Sequence, residues 1–166
     1  YVLRLNDGAS PPYHVEAMPR PAVTLIECAQ TFPAYTHLPR SRRPLGDLTL
    51  LAGSHLLLNM TANKKIKDGT LRLVGLDKEL PLQISNANAT NLTVDVPIPE
   101  KGLTGFSVHL VDEFDLQSKN EAVYRIDILP DKPPTVRVLF PERKEELVTP
   151  QATFIVSFEA ADDFGI

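Results

Sequence analysis

The segment Tyr124-Arg-Ile-Asp-Ile-Leu-Pro-Asp-Lys-Pro-Pro134 decides how this chain is organised. It is an alternating, strand-like run that ends in prolines, and a second apolar run follows it. A similar segment, Tyr13-His-Val-Glu-Ala-Met-Pro-Arg-Pro21, starts 111 residues before Tyr124. That spacing is about the size of one β-sandwich domain. We therefore expect the chain to be a piece of a longer tandem array.

The repeat predicts three parts. Residues 1–19 are predicted to be the last hairpin of a preceding module, with strands at residues 1–5 and 13–17. Residues 20–130 are predicted to form one complete module. Residues 131–166 are predicted to be the opening strands of a following module.

Period-two alternation of apolar and polar residues predicts strands throughout the chain, and no segment shows a helical period over ten residues. The predicted strands after the first hairpin are residues 23–29, 47–51, 55–62, 70–74, 80–84, 92–96, 106–110, 124–129, 136–138 and 154–160. Residues 32–44, which contain three prolines, are expected to be an extended loop or an edge segment. Short strands separated by turns indicate an all-β fold, an antiparallel sandwich of two sheets.

The composition of the chain indicates a folded β protein and argues against some classes of function. The chain has 166 residues, 43% of them hydrophobic, with 15 prolines and a net charge of −4. Apolar content at this level supports a folded core, and so many prolines suit strand ends better than helices. The absence of a basic excess argues against nucleic-acid binding. No apolar run approaches the ~18 residues of a membrane span.

Several motifs of the sequence resemble a repeated immunoglobulin-like module of large bacterial envelope proteins of unknown function. The motifs that carry the resemblance are Phe32-Pro-Ala-Tyr-Thr-His-Leu-Pro39, Gly46-Asp47, Ala52-Gly53-Ser54, Ala62-Asn63-Lys64-Lys65, the Tyr124–Pro134 joint and Asp162-Asp163-Phe164-Gly165-Ile166. The resemblance implies an immunoglobulin-like sandwich. It also implies that tandem copies of the module form the extracytoplasmic part of a membrane-anchored protein. It supplies no catalytic residues. His37 stands where the pattern has glycine.

Catalytic chemistry finds little support. Cys28 is the only cysteine, which excludes an internal disulfide and a multi-cysteine zinc site. A thiol nucleophile is one interpretation, but Cys28 lies in a strand-like run where free cysteine behaves as a small hydrophobe. His14, His55 and His109 fall on the solvent phase of separate strands, so they are not expected to converge on zinc. We expect no enzyme activity and no cofactor.

Carboxylates near the module boundaries suggest calcium. Asp112 and Asp115, with Glu113, follow one predicted strand, and Asp162 and Asp163 follow another. If they met at a junction they would offer oxygen ligands, although they lack an ordered calcium motif. The alternative is that these charges are solvated loop residues.

Three arginines, Arg40, Arg42 and Arg43, form a small basic group that would suit an acidic glycan or a lipid headgroup. Tyr35, together with Phe32, is the candidate for a sugar-stacking surface, since Trp is absent. The alternative for the arginines is a solvated loop. Lysines at residues 64, 65 and 67 are expected to cap a strand end and keep a sheet edge from pairing.

Three functions follow as hypotheses. The first is a structural spacer or interaction module, because proline joints hold successive sandwiches at set angles. The second is a carbohydrate-binding module, and the third a calcium-stiffened adhesion module. The expected partners are neighbouring modules, envelope proteins or glycans, and not nucleic acid. The incomplete ends are also expected to associate between chains, with Phe154, Val156 and Phe158 covered by Leu3, Leu5 and Tyr13 of a neighbour.

Overall fold

The structure is a computed structural model that describes residues 2–46, 48–119, 121–141, 145 and 147–164. Its strands are β1 (Arg4–Leu5), β2 (Gly8–Ala9), β3 (Val23–Thr31), β4 (Ser41–Arg43), β5 (Leu48–Leu51), β6 (His55–Ala62), β7 (Ile66–Val74), β8 (Lys78–Pro81), β9 (Gln83–Ile84), β10 (Asn91–Pro97), β11 (Gly105–Asp112), β12 (Tyr124–Leu129), β13 (Thr135–Phe140) and β14 (Ser157–Ala161). One 3-10 turn spans Ala34–Thr36. Asp47, which begins one predicted strand, and Tyr1, Gly165 and Ile166 lie outside the described residues.

The middle of the chain forms two five-stranded sheets, so the predicted all-β sandwich is confirmed. One sheet has the order β4-β3-β6-β10-β9, and the other has the order β5-β12-β11-β7-β8. Neighbouring strands are antiparallel except β5 and β12, which are parallel. Among the described residues, β1 pairs only with β2, and β13 only with β14, as separate two-stranded sheets.

Strict alternation places the core between the two five-stranded sheets. In β6, residues Leu56, Leu58, Met60 and Ala62 are buried, while the residues between them are partly exposed. The facing sheet contributes residues of β7, β11 and β12, and Phe106 stacks on Tyr124 with ring centroids 5.0 Å apart. Each fully buried side chain of this size contributes roughly 1.5–3 kcal/mol.

The predicted single strand at residues 80–84 is wrong, because the chain changes sheets there. β8 pairs with β7 in one sheet, and β9 pairs with β10 in the other. Leu82 lies between them, buried in the core, and its amide donates to the carbonyl of Gly69 at 2.9 Å. Pro81 has no amide hydrogen, so it is suited to the end of a ladder.

The ends of the chain differ from the prediction. β1 pairs with β2 across a tight turn in which Asn6 has φ +53°, and residues 13–17 form no strand. β1 therefore pairs with β2, the next strand in sequence, and not with the predicted partner at residues 13–17. Residues 13–17 pair with no described strand. Near the other end, β14 begins at Ser157 rather than at residue 154.

His37 ends the 3-10 turn in the left-handed region, with φ +51°. This conformation favours glycine, and among other residues histidine is one of the more tolerant. The structure therefore explains why glycine suits this position. Downstream, β4 confirms that residues 32–44 contain an edge segment, since it pairs only with β3.

Truncation of a core side chain tests this packing. We expect Leu58→Ala to lower the free energy of unfolding by about 2–5 kcal/mol, because it leaves a cavity between the sheets. Leu25→Ala, on the exposed side of the same sheet, should change it by less than about 0.5 kcal/mol. Equal losses in urea unfolding would contradict the assigned core.

Candidate functional site

The carboxylate of Asp112 is fully buried at the end of β11, with 0% of its surface exposed. One oxygen, Oδ1, accepts hydrogen bonds from the backbone amides of Phe114 and Leu116, both at 2.9 Å. The other, Oδ2, accepts a bond from Lys64 Nζ at 2.7 Å. Asp112 was a calcium candidate, but both of its oxygens already have partners.

Lys64 and its neighbour Asn63 hold the segment that enters the sandwich. Lys64 Nζ donates to the carbonyl of Pro19 at 3.0 Å, and Asn63 Nδ2 donates to that of Arg20 at 3.1 Å. The amide of Ala22 donates to Asn63 Oδ1 at 3.0 Å, and the Asn63 amide returns a bond to the Ala22 carbonyl. We call Asn63, Lys64 and Asp112 the joint clamp, because they fix residues 19–22 to the sandwich.

The joint clamp determines the protonation of Asp112. Burial alone would raise the pKa of this carboxyl. The hydrogen bonds from Lys64, Leu116 and Phe114, with the positive charge of Lys64, outweigh burial and hold the pKa below its ordinary value. Asp112 is therefore ionised at neutral pH, as a buried pair with a lysine requires.

The four calcium candidates do not come together. Asp115 pairs with Lys67 at 2.6 Å, near Asp112, while Asp163 pairs with Lys132 at 3.4 Å. β11 and β12 are antiparallel, so Asp112 and the linker that follows β12 lie at opposite ends of the sheet. Asp162 lines a shallow cavity at the linker's end. Among the described residues, no group of three or more His, Cys, Asp or Glu is arranged to hold a metal ion.

Tyr35, proposed from sequence as a sugar-stacking residue, lies against the linker that follows β12, which we call the exit joint. Its hydroxyl donates to Asp131 Oδ2 in the linker after β12. This hydrogen bond raises the pKa of Tyr35, and desolvation and the charges of Asp131 and Asp162 raise it further. Tyr35 therefore contacts the next segment of the chain, just as the joint clamp contacts the preceding one.

The three arginines separate onto two faces because β4 alternates. Arg43 lies opposite Cys28 and points to the inner side, where its Nε donates to Gln30 Oε1 at 2.9 Å. Buried Gln30 in turn donates to Ser54 Oγ at 2.9 Å. Arg42 lies opposite Ala29 and points to the outer face. Arg43 therefore has a structural role.

Arg40 and Arg42 line an open groove of about 360 Å³ on the outer face. Its other lining residues are Glu27, Cys28, Ala29 and Asn59. Burial raises the pKa of the Cys28 thiol to about 11, so the reactive thiolate is scarce at neutral pH. The exposed groups of the groove are two guanidiniums, one carboxylate and one amide.

Sequence reasoning missed Glu27 and Asn59 as groove residues and Asn63 as a clamp residue. Glu27 and Asn59 are direct neighbours across β3 and β6, a register that the separate strands do not reveal. The lysine cluster drew attention to Lys64, but as protection of a sheet edge. Two of the histidines form pairs with carboxylates: His55 with Asp95 at 3.0 Å and His109 with Glu121 at 2.5 Å.

No family model, no curated protein and no solved structure matches this chain. Within the part of the chain that the structure describes, no helix has the length and apolarity to cross a membrane.

The pH dependence of stability tests the joint clamp. Between the lowered folded-state pKa of Asp112 and its ordinary value of 3.8, the unfolded chain binds a proton that the folded chain does not. We therefore expect stability to fall as the pH drops below about 3.8 and to go on falling through the lowered pKa. Asp112→Asn should remove this contribution in denaturant titrations between pH 7 and pH 2.

The exposed Lys67–Asp115 pair provides the control. At pH 7, Asp112→Asn should destabilise the protein more than Asp115→Asn, because it leaves the half-buried Lys64 without its carboxylate partner, whereas Lys67 is exposed and stays solvated. An acid profile of Asp112→Asn that matches the wild type would contradict the assigned ionisation.

Proposed function

We propose that this chain is a non-catalytic structural module of a tandem array, in which successive sandwiches are held at fixed angles. The observation that supports this function best is the joint clamp. Four hydrogen bonds, three donated by Asn63 and Lys64 and one accepted by Asn63 from Ala22, attach residues 19–22 to the sandwich, where a flexible linker would be free in solvent. Arg20 adds a bond to the Gln117 carbonyl at 3.0 Å.

The exit joint supports the same proposal. Tyr35 bonds to Asp131 in the linker, and Lys132 pairs with Asp163 beyond β13. The linker itself contains Pro130, Pro133 and Pro134, and proline-rich segments act as semi-rigid spacers. Both the entry and the exit of the sandwich therefore combine stiff backbone with side-chain attachments.

We further propose that the sandwich is immunoglobulin-like. Strands β3-β6-β10-β9 follow one another in the order A-B-E-D, and β7-β11-β12 in the order C-F-G, of a constant-type immunoglobulin domain. The chain has neither Trp nor a cysteine pair, so its core consists of aliphatic side chains with Phe106. We propose that the array belongs to a bacterial envelope protein and lies outside the cytoplasm. This location rests on the sequence resemblance.

Small-angle scattering on a two-module chain tests the spacer function. A suitable chain joins residues 20–134 directly to a second copy of residues 22–134, so that Pro134 takes the place of Pro21. We expect an elongated particle, and a single conformation should account for its scattering profile. Replacing residues 131–134 by Gly-Ser-Gly-Ser should give a profile that requires an ensemble. A compact or freely bending pair with the natural linker would contradict the proposal.

The proposed partners are neighbouring modules, and in isolation a second copy of the chain. The short hairpins at the two ends leave apolar residues in solvent, with Leu5 81% and Phe158 64% exposed. In the middle sandwich, β6 is the strand that corresponds to β14 in the proposed repeat, and the opposite sheet covers its apolar face. A concentration series in the same scattering experiment should show association of the natural chain, and a Phe158→Glu variant should associate less. A particle mass that stays monomeric at all concentrations would contradict this pairing.

A further inference from the structure

The outer face of the β4-β3-β6-β10-β9 sheet carries a row of polar side chains. Strand register places Glu27 beside Asn59, Asn59 beside Thr93, and Thr93 beside Gln83. Directly opposed residues have Cβ atoms about 4.5–5.5 Å apart, so the four side chains form a continuous line. With strands about 4.8 Å apart, the row is about 14 Å long.

Arg40 and Arg42 stand at one end of this row. They line the groove of about 360 Å³ with Glu27 and Asn59. A second groove, which shares Glu27 and Asn59 with the first, continues across the sheet to Thr93. The two grooves therefore form one trough, which we call the outer trough, with positive charge concentrated at the β4 side.

The polar groups of the outer trough have no partners of their own. Within the described residues, the side chains of Arg40, Arg42, Glu27 and Asn59 make no hydrogen bond or ion pair. By contrast, the exposed strand residue Arg72 pairs with Glu79 at 3.0 Å. Donors and acceptors of the trough are therefore available to a ligand.

We propose that the outer trough binds an acidic oligosaccharide. An arginine guanidinium matches a carboxylate or sulfate with two parallel hydrogen bonds. Glu27 is suited to accept bonds from sugar hydroxyls, Asn59 to donate and accept them, and Thr93 to do either. The volume of the first groove, about 360 Å³, lies in the range of small-ligand sites.

The same geometry favours a glycan over a lipid or a peptide. Apart from Leu25, the apolar residues that line the trough are buried ones, Cys28, Ala29, Met60 and Leu92, so the trough presents mainly polar side chains and no deep apolar slot. An extended peptide would add to a sheet edge through backbone bonds, whereas this surface presents side chains from the middle of a sheet. Leu25, which is 55% exposed, offers an aliphatic surface to a sugar ring in the absence of an aromatic one. This site is independent of the joints, so a spacer can carry it.

Titration of the full chain with trigalacturonate, followed by amide NMR shifts, tests the proposal. We expect saturable shifts at Glu27, Asn59 and Thr93, with little change in the opposite sheet. Arg40→Ala and Arg42→Ala should each weaken binding about tenfold or more, because each removes a charged hydrogen-bonding group.

Arg125→Ala is the matched control, because Arg125 is an exposed strand arginine of the other sheet. It should leave the affinity unchanged. Equal affinity for neutral maltotriose, an equal loss in Arg125→Ala, or no saturable shift at millimolar trigalacturonate would overturn the proposal. Binding confined to phosphatidylglycerol vesicles or to polyglutamate would overturn it in favour of a lipid or an acidic peptide. Thermal unfolding of each variant confirms that the fold is retained, which is expected because both guanidiniums are exposed.

Discussion

The contact between Lys64 and the buried carboxylate of Asp112 is the interaction on which the entry joint depends. Asp112 fixes the lysine in place and also organises the loop after β11 through two backbone amides. The lysine then reaches the carbonyl of Pro19. Because a buried carboxylate is unfavourable without its partners, the fold holds the lysine where it can attach the preceding segment. Stability and joint geometry therefore share one ion pair.

This arrangement links the sandwich to its proposed function. The two sheets bury their own apolar faces, so the module does not need its neighbours to form a core. Polar contacts at the two ends of the sandwich hold the adjoining segments, with Asn63 and Lys64 bonded to residues 19–22 and Tyr35 bonded to Asp131. The outer sheet face contributes to neither joint, and it remains available for a ligand.

The sequence was sufficient for features that depend on local periodicity. Alternation in β6 and β11 predicts both the strands and their buried faces. Features that depend on pairing between distant strands could not be predicted. Lys64 and Asp112 are far apart in sequence, so their contact exists only once β6, β7 and β11 are in register. Arg42 and Arg43 are adjacent in sequence, and only the assignment of β4 shows that they point to opposite faces.

The most direct test of the account is the distribution of distances across the entry joint. Spin labels at Met18→Cys and Lys101→Cys, in a Cys28→Ala background, place one probe before the joint clamp and one at the far end of the sandwich. Pulsed electron paramagnetic resonance should give a narrow distribution of distances between the two labels, and this distribution should broaden in Asn63→Ala. It should stay narrow in Lys67→Ala, because that substitution spares every bond to residues 19–22. A broad distribution with the clamp intact, or no change in Asn63→Ala, would contradict the claim that these side chains fix the joint.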